Sequence, residues 1–78
     1  MKYVSDMLNP NLKNPHDRAV ISIMRKEKFL AISRLYEKAG LLPYDLRNAI
    51  DRLKAVGYLE EREFLGSDVL FITKAANE

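Results

Sequence analysis

Seventy-eight residues carrying 13 basic and 11 acidic side chains, net charge +2, make one small domain. A chain of this size buries only about 60–65% of the surface its unfolded form exposes, so its core is small. The absence of cysteine excludes disulfides, thiolate catalysis and Cys-based metal sites, and a single histidine, His16, cannot form a histidine cluster for a metal.

A charge of +2 names no partner, so the placement of charges has to. The longest apolar runs are four residues, Phe29 to Ile32 and Val69 to Ile72, far below the ~18 needed to cross a bilayer. The N-terminus lacks the charged, long-apolar and small-residue order of a signal peptide. A cytoplasmic protein with no membrane partner is the expectation.

Residues 1–13 form an N-terminal extension in which Tyr3, Val4, Met7 and Leu8 have the spacing of a short amphipathic helix ended by Asn9-Pro10-Asn11. The main domain spans 14–78. Asn14 as N-cap, Pro15 at the first helical position and Asp17 in the first turn mark a helix start. Ala19, Val20, Ile23 and Met24 supply an apolar stripe, and Arg25-Lys26-Glu27-Lys28 brings cations to the helix C-terminus. Phe29-Leu30-Ala31 is either an edge strand or the start of the next helix. That second helix reaches Ala39, with Ile32, Leu35, Tyr36 and Ala39 inward, and Gly40 suits a left-handed C-cap. After Leu41-Leu42, Pro43 opens a third helix that runs to Val56, where Gly57 stops it.

Beyond Gly57 the apolar period changes. Tyr58 to Leu65 and Val69 to Thr73 read as two strands, with Gly66-Ser67 as the tight turn. The register stays open: a two-residue loop pairs Phe64 with Val69, a three-residue loop pairs Leu65 with Val69, and neither separates polar from apolar faces. The tail, Ala75 to Glu78, frays or forms a short helix.

This order, with the apolar frame Leu35, Ala39, Gly40, Leu41, Leu46, Ala49, Ile50, Leu53, Gly57, Tyr58 and Leu59, resembles the winged helix-turn-helix family. The stretch from Ile50 to Leu59 stands where members typically show Leu-Arg-Arg-Leu-x-x-x-Gly-Leu-Ile, and the resemblance covers residues 15–74. It implies an α+β, mainly α fold of three helices plus a C-terminal β-hairpin wing. The implied function is that of a small sequence-specific double-stranded DNA-binding protein, a transcriptional regulator that reads the major groove with the helix at 43–56.

At 100° per residue, Leu46, Ala49, Ile50 and Leu53 share one side of the third helix, and Tyr44, Asn48, Asp51 and Ala55 the other, flanked by Arg47 and Arg52. Asn48 suits a bidentate pair with adenine, Arg47 or Arg52 one with guanine, and Tyr44 a phosphate or a thymine methyl. Ser33 and Arg34 at the second helix start, with Lys54, complete the candidate DNA contacts. Arg47 and Asp51, four apart, and Asp51 and Lys54, three apart, equally suit ordinary surface ion pairs.

Three features depart from the family. Leu42 stands where a serine or threonine N-cap is usual, Asp45 and Asp51 add negative charge near the contact face, and the short wing has Glu60, Glu61 and Glu63 but no cation at its tip. The acidic hairpin and its cation-free tip favour the alternative reading, a protein–protein interaction adaptor with no direct DNA contact. Few phosphate contacts make a lone copy a weak DNA binder, so a homodimer is expected, held partly by the N-terminal extension, with the apolar hairpin residues Phe64, Leu65, Val69 and Phe71 as the other candidate contact. No Gly-rich phosphate loop, nucleophile motif or metal-ligand spacing occurs, so neither an enzyme, a cofactor nor a small-molecule ligand is expected.

Overall fold

In the computed structural model, which describes residues 13–77, helix α1 (Pro15–Glu27) starts as its sequence predicts. The Asn14 side-chain oxygen accepts from the His16 N–H at 2.8 Å, satisfying one donor that the first helical turn leaves unpaired. At the other end Lys28 turns the chain with φ 74°, its N–H donating to the Met24 carbonyl at 2.7 Å. Strand β1 (Phe29–Ala31) follows, resolving the two readings of that segment in favour of an edge strand. Helix α2 (Ile32–Ala39) ends at Gly40, whose φ of 66° is the left-handed conformation glycine adopts without strain. Helix α3 (Pro43–Ala55), strands β2 (Leu59–Phe64) and β3 (Ser67–Ile72) and a short helix α4 (Lys74–Asn77) complete a mainly helical α+β domain. The proposed N-terminal helix around Tyr3, Val4, Met7 and Leu8 lies outside the described residues.

The three strands form one antiparallel sheet in the order β1-β3-β2. Its register corrects both sequence-based pairings: Phe64 faces Ser67, Glu63 faces Asp68 and Arg62 faces Val69. The turn is Leu65-Gly66, not Gly66-Ser67. Both its residues have positive φ, 53° and 82°, the combination of a type I′ hairpin turn. The simple alternation of faces failed as a guide because β3 is the central strand and is apolar on both sides.

Leu65 is 94% exposed at that turn, so its side chain contributes nothing to offset a conformation that leucine dislikes. Leu65→Asn is therefore expected to raise unfolding free energy by about 0.5–1 kcal/mol, measured by urea denaturation. A decrease would show that Leu65 is held by something other than the turn.

The core joins Val20, Ile21 and Met24 of α1, Leu35 of α2, and Leu46, Ala49, Ile50 and Leu53 of α3 to Leu59, Leu70 and Ala76. The inward face predicted for α3 is the buried one, residue for residue. On α1 the buried stripe is rotated slightly from expectation, with Ile21 fully inward and Ile23 only partly so. Two backbone bonds extend the ladders at the helix-facing end of the sheet: Ile72 N–H donates to the carbonyl of Lys28, just before β1, and Thr73 N–H to that of Tyr58, just before β2, both at 3.0 Å. Arg25 donates twice to the Ala76 carbonyl, at 3.2 and 3.1 Å, and so holds α4 against α1.

Since side chains alternate along a strand, the register fixes two faces. Leu30, Leu59, Leu70 and Ile72 point toward the helices, with Glu61, Glu63 and Asp68 on that same side nearer the hairpin tip. Phe29, Ala31, Glu60, Arg62, Phe64, Val69 and Phe71 occupy the outer side.

Candidate nucleic-acid interface

Helix α3 sits with its aliphatic side against α1 and β2, and this fixes what its far side offers. Tyr44, in the first turn, is 76% exposed, and the Arg47 side chain is 72% exposed one turn later. Asn48 is half-buried beside them. Asp51 completes the row, its carboxylate 4.0 Å from the Arg47 guanidinium. An exposed pair of that length contributes about 0.3–0.5 kcal/mol and leaves Arg47 available to a stronger anion.

Two cations predicted for the same surface are otherwise engaged. Arg52 reaches across to α1 and makes a bidentate pair with Asp17, Nη2 to Oδ1 at 2.7 Å and Nε to both oxygens at 3.1 Å. Asp17 is 1% exposed and occupies the core stripe of α1 with Val20, Ile21 and Met24. Its hydrogen bond is the main reason that the Arg52 guanidinium holds its proton more tightly than an ordinary arginine. Lys54 donates to Glu61 on β2 instead of meeting Asp51. A phosphate would compete with these carboxylates for Arg52 and Lys54, which keep only part of their donors and charge for it.

Asp17 is the residue that sequence reasoning missed. Its acid was read only as a favourable first-turn charge. The spacing 17, 20, 21, 24 already put it on the buried stripe, where a carboxylate needs a cation.

Ser33 and Arg34 are exposed at the start of α2. No side chain caps the N-terminus of α2 or of α3, because Ala31 and Leu42 occupy those positions, so their first N–H groups are not claimed by a capping side chain. Between the two helices and the hairpin runs a groove of about 220 Å³, lined by Ile32, Tyr36, Arg47, Ile50, Asp51, Lys54, Glu61 and Asp68. Its helical wall carries Arg47 and Lys54. Its hairpin wall carries Glu61 and Asp68, and Glu63, directly opposite Asp68 in the register, lies on the same side of the sheet. Like charges so placed repel, and the fold gains nothing from the arrangement itself.

Among the described residues no group of three or more His, Cys, Asp or Glu could hold a metal ion, and no helix is long and apolar enough to cross a membrane. No protein-family model and no curated protein matches the chain.

Proposed function

We propose that this protein is a winged helix-turn-helix domain that binds double-stranded DNA as a homodimer, laying α3 in the major groove to regulate transcription. One observation carries the reading: Tyr44 and Arg47 stand exposed on the first two turns of α3, with half-buried Asn48 beside them, while the opposite side of the helix is buried. The N-terminal turns of such a helix are those that meet base edges. Arg47 and Asn48 have the donors for guanine and adenine, and Tyr44 a hydroxyl for phosphate. Ser33, Arg34 and the open N–H groups of α2 are set to hold a second phosphate. Arg52 and Lys54 support α3 through Asp17 and Glu61. The hairpin, without a cation at its tip, stays out of the minor groove.

The reading is tested by fluorescence anisotropy on mixed-sequence duplex DNA across about 50–200 mM salt. Affinity should fall steeply with salt, and Arg34→Ala with Arg47→Ala should flatten the log–log slope by about 2, one unit for each lost phosphate or base-edge cation. An absence of binding at the lowest salt would reject the DNA reading.

That outcome would favour the second reading, a protein–protein adaptor. Its support is the acidic inner side of the hairpin, where Glu63 and Asp68 stand opposite each other beside the Lys54-paired Glu61, which suits a basic segment of a protein better than a phosphate backbone.

A further inference from the structure

The outer face of the sheet is apolar at its centre. Phe29, Ala31, Phe64, Val69 and Phe71 line a depression of about 450 Å³, with Phe29 53% and Phe64 65% exposed. The patch is ordered rather than a loose collection of side chains. Phe29 and Phe71 stack at 5.8 Å between ring centroids, 26° from parallel, and the Arg62 guanidinium lies 5.4 Å over the Phe71 ring. Arg62 in turn donates to Glu60 at 3.0 Å on the same face. A contiguous apolar patch with a polar margin marks a contact surface.

We infer that this face is where two copies of the chain meet, the surface through which the proposed homodimer forms. The occupant follows from the charge. Glu60 and Arg62 bring one acid and one base, so the face is neutral and two copies approach without net repulsion. A two-fold axis through the patch offers each copy's Arg62 to the partner's acid and each Glu60 to the partner's base, as a self-complementary interface requires. The groove side is unsuited to such pairing, since Glu63 and Asp68 on the inner side of the hairpin would face the same acids of a second copy. Nucleic acid is a poor occupant of the outer face as well, because among the described residues on that side of the sheet Arg62 is the one cation and Glu60 beside it repels phosphate.

The size of the face sets the strength. Strands about 4.8 Å apart rising ~3.4 Å per residue give this three-stranded sheet a footprint of roughly 250 Å². A stable interface takes about 800 Å² from each partner, so the sheet face by itself makes a weak, transient pair. Dimerisation then tracks protein concentration, which would double the phosphate contacts only when the chain is abundant. That last consequence rests on the DNA reading, whereas the interface itself does not.

Sedimentation equilibrium of the full chain from about 1 to 500 µM tests it. Wild type should pass from monomer to dimer across that range. Phe64→Glu should weaken the pair at least about tenfold, with an unchanged circular dichroism spectrum showing that the fold survives. Leu65→Glu, at the exposed hairpin tip and off the patch, should leave the equilibrium unaltered. A dimer that persists in Phe64→Glu overturns the assignment of this surface while leaving the pairing itself intact. A chain that stays monomeric at every concentration overturns both, and leaves the face to residues 1–12 or to another protein.

Discussion

Leu53→Ala is expected to lower the unfolding free energy by about 3 kcal/mol, the largest effect of any single truncation considered for this domain. Leu53 is wholly buried on α3, where α1, α3 and β2 converge. Its removal costs the transfer energy of the lost methyl groups plus a cavity that rigid neighbours only partly fill. At the usual 0.05–0.15 kcal/mol per residue, a domain of this length has about 4–12 kcal/mol in total, so one truncation takes a large share. The same change at Leu42, apolar but 70% exposed in the turn before α3, should stay within about 0.5 kcal/mol. Urea midpoints compare the two directly. Equal losses would mean that Leu42 is covered in solution by a surface that the described residues do not contain.

This contrast also shows what the sequence made legible. The helices were readable because their signals are local: Asn14 and Pro15 start α1, Gly40 ends α2, Pro43 starts α3, and the 46-49-50-53 stripe decides which side of α3 is buried. Strand pairing is not local. Leu65 takes a positive φ that its side chain disfavours, so a residue-type reading moved the turn one position on, to Gly66-Ser67, and the register moved with it. β1 was ambiguous for the same reason: Phe29-Leu30-Ala31 has no periodicity of its own, and only its pairing with Val69, Leu70 and Phe71 makes it a strand.

The candidate interface divides in the same way. Exposure of Tyr44 and Arg47 follows from helical geometry and needed no structure. Whether a cation is available depends on neighbours far away in the chain. Arg52 and Asp17 lie 35 residues apart, and nothing in the spacing of α3 announces that pairing. Lys54 had a nearby acid at Asp51 and another on β2 at Glu61, and the strand supplied the partner. Of the cations read from α3, Arg47 is the one left outward-facing. A DNA contact that relies on so few charges must obtain affinity elsewhere, from the start of α2 and from a second copy.

Arg52→Met separates the structural part of that surface from the functional part. It leaves the Asp17 carboxylate, 1% exposed, without its guanidinium. The expected loss of stability is about 2–3 kcal/mol, at or below the low end for breaking a buried ion pair, because the Arg52 side chain is itself 44% exposed and water screens part of the interaction. Asp17→Leu in the same chain should recover most of that loss, since an apolar pair of similar volume no longer strands a buried charge. A double-mutant cycle in urea would return the coupling between the two positions, and a value near zero would mean that the bidentate contact does not form in solution. The refolded double variant then addresses function. With α3 held in place and Arg52 acting only as a strut, duplex affinity at low salt should equal that of wild type. A loss of about tenfold with the fold intact would instead move Arg52 onto the DNA beside Arg47.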